Sequence, residues 1–156
     1  MYAGLSKLEN IRIAGLLHDI GKINVPIEIL TKPGKINNDE FKIIKAHPRI
    51  GYEMLKDMDF QNEITLSILQ HHERISGGGY PLGLSGKEIL IEAKIMAVAD
   101  VVEAMSSHRP YRPSIGIKTA LEEIMKNSGI LYDAEVVKVC LSLFQDEKFT
   151  FDAHVM

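Results

Sequence analysis

Apolar residues recur at helical spacing almost from one end of this chain to the other. Ile13, Leu16, Leu17 and Ile20 repeat at offsets of three, four and seven, and so do Gly51, Met54, Leu55 and Met58. The rhythm continues through Ile95, Val98, Ala99 and Val102, then Ile117, Ala120, Leu121 and Ile124, then Val137, Cys140, Leu141 and Phe144. No alternating run reaches strand length. The breaks between these segments carry the chemistry of helix ends. Gly21 can end the first helix in the left-handed conformation. Pro48 should kink or restart a helix just after His47, and Lys32-Pro-Gly34 reads as a turn. Ser85 with Glu88 forms a capping box for a following helix, and Asp133 caps the last one. With no linker, repeat or low-complexity segment, the pattern predicts one compact all-α bundle over residues 1–156. The first helical pattern is already under way by Leu5 or Leu8, which suggests an N-terminally truncated fragment of a longer protein.

Composition narrows the classes of function. The net charge is -3 with no block of like charges, which argues against a surface for polymeric nucleic acid. The single cysteine, Cys140, excludes a disulfide framework and a thiolate metal site; within its apolar helix it reads as a small core residue. No apolar run approaches the ~20 residues of a membrane span, and no signal peptide is visible. A reducing, cytoplasmic setting is expected.

The candidate chemistry lies in His18, Asp19, His47, His71, His72 and Asp100. Most of these follow apolar runs, where an unpartnered carboxylate is costly to hold. Asp100 falls in a helix that is apolar almost all round, and His71 continues the inward row of Ile64 and Ile68. Adjacent helical residues point about 100° apart. His18 and Asp19 can therefore serve one site only at a helix end, or if the carboxylate bridges two ions; the same holds for His71 and His72. Two such pairs, with His47 and Asp100, favour two metal ions over one. Imidazole and carboxylate ligands suit iron, manganese, zinc, cobalt or nickel. Two adjoining divalent ions acidify water and neutralise phosphodiester oxygens under in-line attack. Any one of these histidines alone would more often be a hydrogen-bonded core residue, and the series as a whole is what carries the reading.

These residues sit in segments that resemble an HD-GYP domain, a branch of the HD phosphohydrolase superfamily. The segments are His18-Asp-Ile-Gly-Lys22, Lys45-Ala-His-Pro-Arg-Ile-Gly51, His71-His-Glu-Arg-Ile-Ser-Gly-Gly-Gly-Tyr-Pro81, Ala97-Val-Ala-Asp-Val-Val102 and Arg109-Pro-Tyr-Arg112. The resemblance implies an all-α fold with two divalent ions, iron or manganese foremost, and a third in some members. It implies hydrolysis of cyclic di-GMP to linear pGpG or on to GMP in bacterial second-messenger signalling. The family's metal ligands carry over to His18, Asp19, His47, His71, His72 and Asp100, with Asp19 and Lys22 in the catalytic role.

On the same basis Lys22, Arg109 and Arg112 contact phosphate, and Tyr80 offers a ring to guanine. The Tyr80 loop is also implied as a contact for GGDEF-domain proteins, and a sensor domain can precede such a domain. Glu73 and Arg74 are expected to pair and brace the second histidine pair; His108 and His154 are expected at the surface. There are two departures from the family. No histidine precedes His18, so an upstream metal-binding histidine is missing, and Ser76 stands where the family has aspartate. They keep two alternatives open: an impaired module that binds cyclic di-GMP or a protein partner, and an HD phosphohydrolase for another nucleotide.

Overall fold

A computed structural model describes residues 6–107, 115–146 and 149. Its helices are α1 (Lys7–Leu17), α2 (Ile27–Leu30), α3 (Asn38–Lys45), α4 (His47–Leu55), α5 (Asn62–Gln70), α6 (Ile91–Ser106), α7 (Ile117–Lys126) and α8 (Ala134–Gln145). Two short 3₁₀ turns, Ile20–Asn24 and Gly86–Glu88, join them. Among the described residues there is no strand, only an isolated bridge between Ser128 and Tyr132. The all-α expectation holds.

Two apolar clusters form the core, and α6 belongs to both. Ala14 of α1, Leu55 of α4, Ile64 and Ile68 of α5, and Met96 of α6 make the first. Val98 and Val102 of α6, Ala120 and Ile124 of α7, Tyr132, and Val137 of α8 make the second. Burial of such side chains, each contributing about 1.5–3 kcal/mol, fixes α6 between the two halves. Polar clasps hold the remaining ends. The Asn10 side-chain amide donates to Gln61 at 2.7 Å, the Leu90 N–H donates to Gln70 Oε1 at 2.9 Å, and Lys94 reaches Asp133 at 3.2 Å.

Helix ends follow the capping rules at more places than expected. Ser6 with Glu9, and Asn37 with Glu40, close full capping boxes on α1 and α3. Asp133 accepts from the N–H groups of Glu135 and Val136 and caps α8 as predicted. Pro48 falls in the first turn of α4, where its missing N–H costs nothing. The Ser85–Glu88 box is present, but it caps only the 3₁₀ turn Gly86–Glu88; α6 begins later, at Ile91.

Gly21 departs from its expectation. Helix α1 ends at Leu17, and Gly21 is buried inside the 3₁₀ turn Ile20–Asn24 rather than in a left-handed cap. A Cβ there would run into the His47 carbonyl oxygen and come within 2.7 Å of the Gly51 nitrogen. The glycine lets the turn after Asp19 lie directly on the first turn of α4. Periodicity also over-assigned the core. Leu16 (78% exposed) and Met54 keep the helical spacing yet face outward, and Met58 is exposed beyond the end of α4 at Leu55.

Candidate metal centre

The histidines emerge at helix ends, where neighbouring side chains can converge. His18 is the C-cap residue of α1 and Asp19 the N-cap of the following 3₁₀ turn. His47 opens α4. His71 is the C-cap of α5, with His72 next in the chain. This satisfies the helix-end condition on the adjacent pairs. It also uses the carbonyls that every helix terminus leaves unpaired.

One local device orients three of the rings. His18, His47 and His71 each place Nδ1 2.7 Å from the carbonyl oxygen three residues earlier, those of Gly15, Ile44 and Ile68. A carbonyl oxygen only accepts, so each Nδ1 carries the proton and each Nε2 presents a lone pair. These three Nε2 atoms point into one space. His47 Nε2 and His71 Nε2 lie 3.4 Å apart. Two lone pairs at that distance repel unless a cation lies between them.

A proton is a poor candidate for that cation. Burial pushes His71 down to about 3 and also lowers His47. His72 is lowered strongly, by burial first and then by its histidine neighbours. Asp19 behaves oppositely. Burial alone would raise its carboxyl, but the Lys22 hydrogen bond and the positive fields of His18, Lys22 and His47 together hold it below the ordinary value. Neutral imidazoles and an ionised carboxylate are the forms that bind metal.

Asp19 faces two ways. Its Oδ1 lies 3.4 Å from His47 Nε2, and its Oδ2 lies 3.5 Å from His18 Nε2. Lys22 donates to Oδ2 at 2.6 Å, whereas Oδ1 is buried with no hydrogen-bond partner. An orphaned carboxylate oxygen beside two Nε2 lone pairs fits a metal ion. The ligand atoms group as two overlapping sets, His47–His71–His72 and His18–Asp19–His71, each within 4.8 Å. Asp100 joins from α6, with Oδ1 3.8 Å from His18 Nε2. Its side chain is partly exposed rather than sealed in the core. It lines a cleft of about 240 Å³ with Gly15, His18, His71, Ala99 and Glu103. All six ligand candidates therefore meet in one region.

The glycine-rich loop is held from within. Glu73 is buried (2% exposed) and does not pair with the Arg74 guanidinium as expected. Its carboxylate accepts the N–H groups of Leu82 at 2.7 Å and Leu84 at 2.9 Å. Arg74 instead donates to the carbonyls of Glu73 and His71 and lies over the Tyr132 ring. Gly79 packs so closely on Glu73 that a Cβ would come within 2.5 Å of the Arg74 nitrogen. The loop thereby folds back and stacks Tyr80 on His72, ring centroids 4.7 Å apart and 24° from parallel. Burial raises the Tyr80 hydroxyl to about 12, so it stays protonated. The ring is thus engaged with a candidate ligand. Arg109, Arg112, His108 and His154 lie outside the described residues. Sequence reasoning missed Glu73 as the anchor of this loop. The available signal was an acidic residue directly after the histidine pair and before three glycines, of which Gly79 makes the close backbone approach.

Comparison with known proteins agrees with this architecture. The family model for the HD domain matches residues 4–136. The chain is 46% identical over 143 residues to the cyclic di-GMP phosphodiesterase response regulator RpfG of Xanthomonas campestris, covering 88% of this chain and 38% of that protein. It is 36% identical over 140 residues to the 3'3'-cGAMP-specific phosphodiesterase 3 of Vibrio cholerae, covering 88% of this chain and 30% of that protein. The chain thus spans well under half the length of these curated relatives. Among solved structures, Bd1817, an HDG"Y"P protein from Bdellovibrio bacteriovorus, superposes with a TM-score of 0.72 at 20% identity, over 89% of this chain and 44% of that one. That likeness bears on the fold. The family match over most of the chain, on the helical scaffold that carries the His18–Asp19 pair, shows that this chain belongs to the HD domain family of the HD phosphohydrolase superfamily.

Proposed function

We propose that this chain acts as a metal-dependent phosphodiesterase that hydrolyses cyclic di-GMP to linear pGpG, and on to GMP. The observation that carries the metal reading is the 3.4 Å approach of the His47 and His71 Nε2 lone pairs beside the orphaned Asp19 Oδ1. The names of relatives such as the Xanthomonas protein support the substrate. His18, Asp19, His47, His71, His72 and Asp100 would hold two divalent ions, iron or manganese by resemblance to HD-GYP domains, and the donor set accepts either. When bound, such ions acidify water toward hydroxide near neutral pH and neutralise phosphate oxygens.

The chain's own residues do the rest. Asp19 turns its two oxygens toward two different histidines, an orientation in which it would serve as a ligand to the ions they hold. Lys22 fixes Asp19 in that orientation and keeps positive charge beside the cluster for a phosphate oxygen. Tyr80 covers His72 and keeps water from that side. Arg109 and Arg112, outside the described residues, are assigned to the substrate phosphates by resemblance. The cleft bounded by Gly15, Met96 and Glu103 gives the substrate room beside Asp100. In the same reading the Tyr80 loop meets a GGDEF-domain protein, a sensor domain belongs to the longer protein, and the reaction takes place in the cytoplasm. No helix among the described residues is long and apolar enough to cross a membrane.

The test is a turnover assay with iron- or manganese-loaded protein on cyclic di-GMP, 3'3'-cGAMP and a mononucleotide side by side. Conversion of cyclic di-GMP to pGpG as the fastest reaction supports the proposal. Full metal occupancy without turnover would leave a binding module. Faster hydrolysis of another nucleotide would reassign the substrate.

A further inference from the structure

Lys45 ends α3, two residues before His47. Its ammonium stands 4.8 Å from the Phe41 ring centroid and 5.0 Å from that of Tyr80. Two rings and the α3–α4 corner therefore hold this long side chain in place. Among the described residues no carboxylate pairs with it, whereas the other lysine at the cluster, Lys22, is committed to Asp19 at 2.6 Å. A ring face attracts an ammonium through its quadrupole but leaves its three N–H donors free for stronger acceptors. The Tyr80 ring that Lys45 touches also stacks on His72. The charge thus stands one aromatic ring away from the candidate metal ligands.

We propose that Lys45 is a substrate-binding residue that takes the phosphate not under attack in a two-phosphate nucleotide. This rests on the phosphodiesterase reading above. The phosphate at the cluster meets cations and Lys22. A dinucleotide carries a second phosphate displaced from the first by a nucleoside, and that group remains anionic when the ligand binds. A preset ammonium at the edge of the site is the complement it needs, through charge-assisted hydrogen bonds. A lysine makes this contact as a point charge, without the planar fork of arginine. The half-exposed Phe41 beside it extends the wall with a flat apolar surface on which a base can stack.

The experiment compares binding of pGpG carrying a hydrolysis-resistant phosphorothioate linkage, which keeps both anionic groups, with that of GMP, which has one. Calorimetry is run on metal-loaded wild type, Lys45→Gln and Lys45→Arg. Lys45→Gln should weaken pGpG about tenfold while GMP changes by less than about twofold; Lys45→Arg should restore most of the pGpG affinity. Equal weakening of both ligands, unchanged pGpG affinity in Lys45→Gln, or wild type binding pGpG no better than GMP each overturns the assignment. Turnover of cyclic di-GMP is measured on the same wild-type sample. Its absence removes the phosphodiesterase reading, while the binding comparison still decides the role of Lys45.

Discussion

Lys22 donates to Asp19 Oδ2 at 2.6 Å and leaves Oδ1, buried and without a hydrogen bond, to face His47. The ion pair thus does more than neutralise a half-buried carboxylate. It sets which oxygen turns toward which histidine. In the proposed function Asp19 would help hold the cations, and Lys22 would fix the orientation of its carboxylate.

Asp19→Ala should therefore strip metal and activity together. Removing the carboxylate takes away one oxygen beside His47 and one beside His18. Elemental analysis of the purified variant should show metal well below the wild-type content. Retention of the full complement would rule out Asp19 as a ligand.

The metal-free protein should lose stability as pH falls from about 6.5 toward 5. His47, His71 and His72 are held neutral by burial, His71 down to about 3, whereas in the unfolded chain they titrate near 6.5. Below 6.5 the unfolded chain binds protons that the folded chain refuses, so protonation favours unfolding. The limiting slope is about 1.4 kcal/mol per pH unit for each such histidine. Urea unfolding at several pH values in that window, above the carboxylate range, measures it. A flat or rising profile would contradict the neutral-imidazole assignment.

Glu73→Gln should loosen the Tyr80 loop. The buried carboxylate serves two N–H groups, and glutamine turns an NH2 donor toward one of them. A charged hydrogen bond is lost and a buried donor is stranded, at a cost of about 1–3 kcal/mol. Hydrogen exchange at the Leu82 and Leu84 amides should accelerate relative to α5. Unchanged protection would show that the loop is held by other contacts.

Gly21→Ala should disturb fold and site at once. The added methyl meets the His47 carbonyl and the start of α4, an overpacking costing about 1–3 kcal/mol or more. Thermal stability and metal affinity should fall together. A variant that keeps both wild-type stability and metal affinity would separate Gly21 from the placement of His47.

Much of this was legible in the sequence because its rules are local. Helical spacing marked α1, α4, α6, α7 and α8; Pro48 marked the start of α4, and Asp133 capped α8. The six ligand candidates were legible because histidines and acids were placed against apolar runs. Long-range approach was not legible. Gly21 was read as a helix terminator because its partner, the His47 carbonyl, is distant in sequence. Glu73 was paired with its neighbour Arg74 because nothing local shows that the loop folds back to bring in the Leu82 and Leu84 amides. Leu16 and Met54 keep the helical period but lie on the outward side, and Met58 follows the end of α4, neither of which periodicity alone decides. The stacking of Tyr80 on His72 was not legible either, because the two rings meet only when the loop folds back.

The most direct measurement of the central claim is metal content per chain, by elemental analysis after loading with iron or manganese and exhaustive removal of free ions. Convergence of His18, Asp19, His47, His71, His72 and Asp100 predicts two tightly retained ions per chain in the wild type. A chain that retains none, while remaining folded, would contradict it.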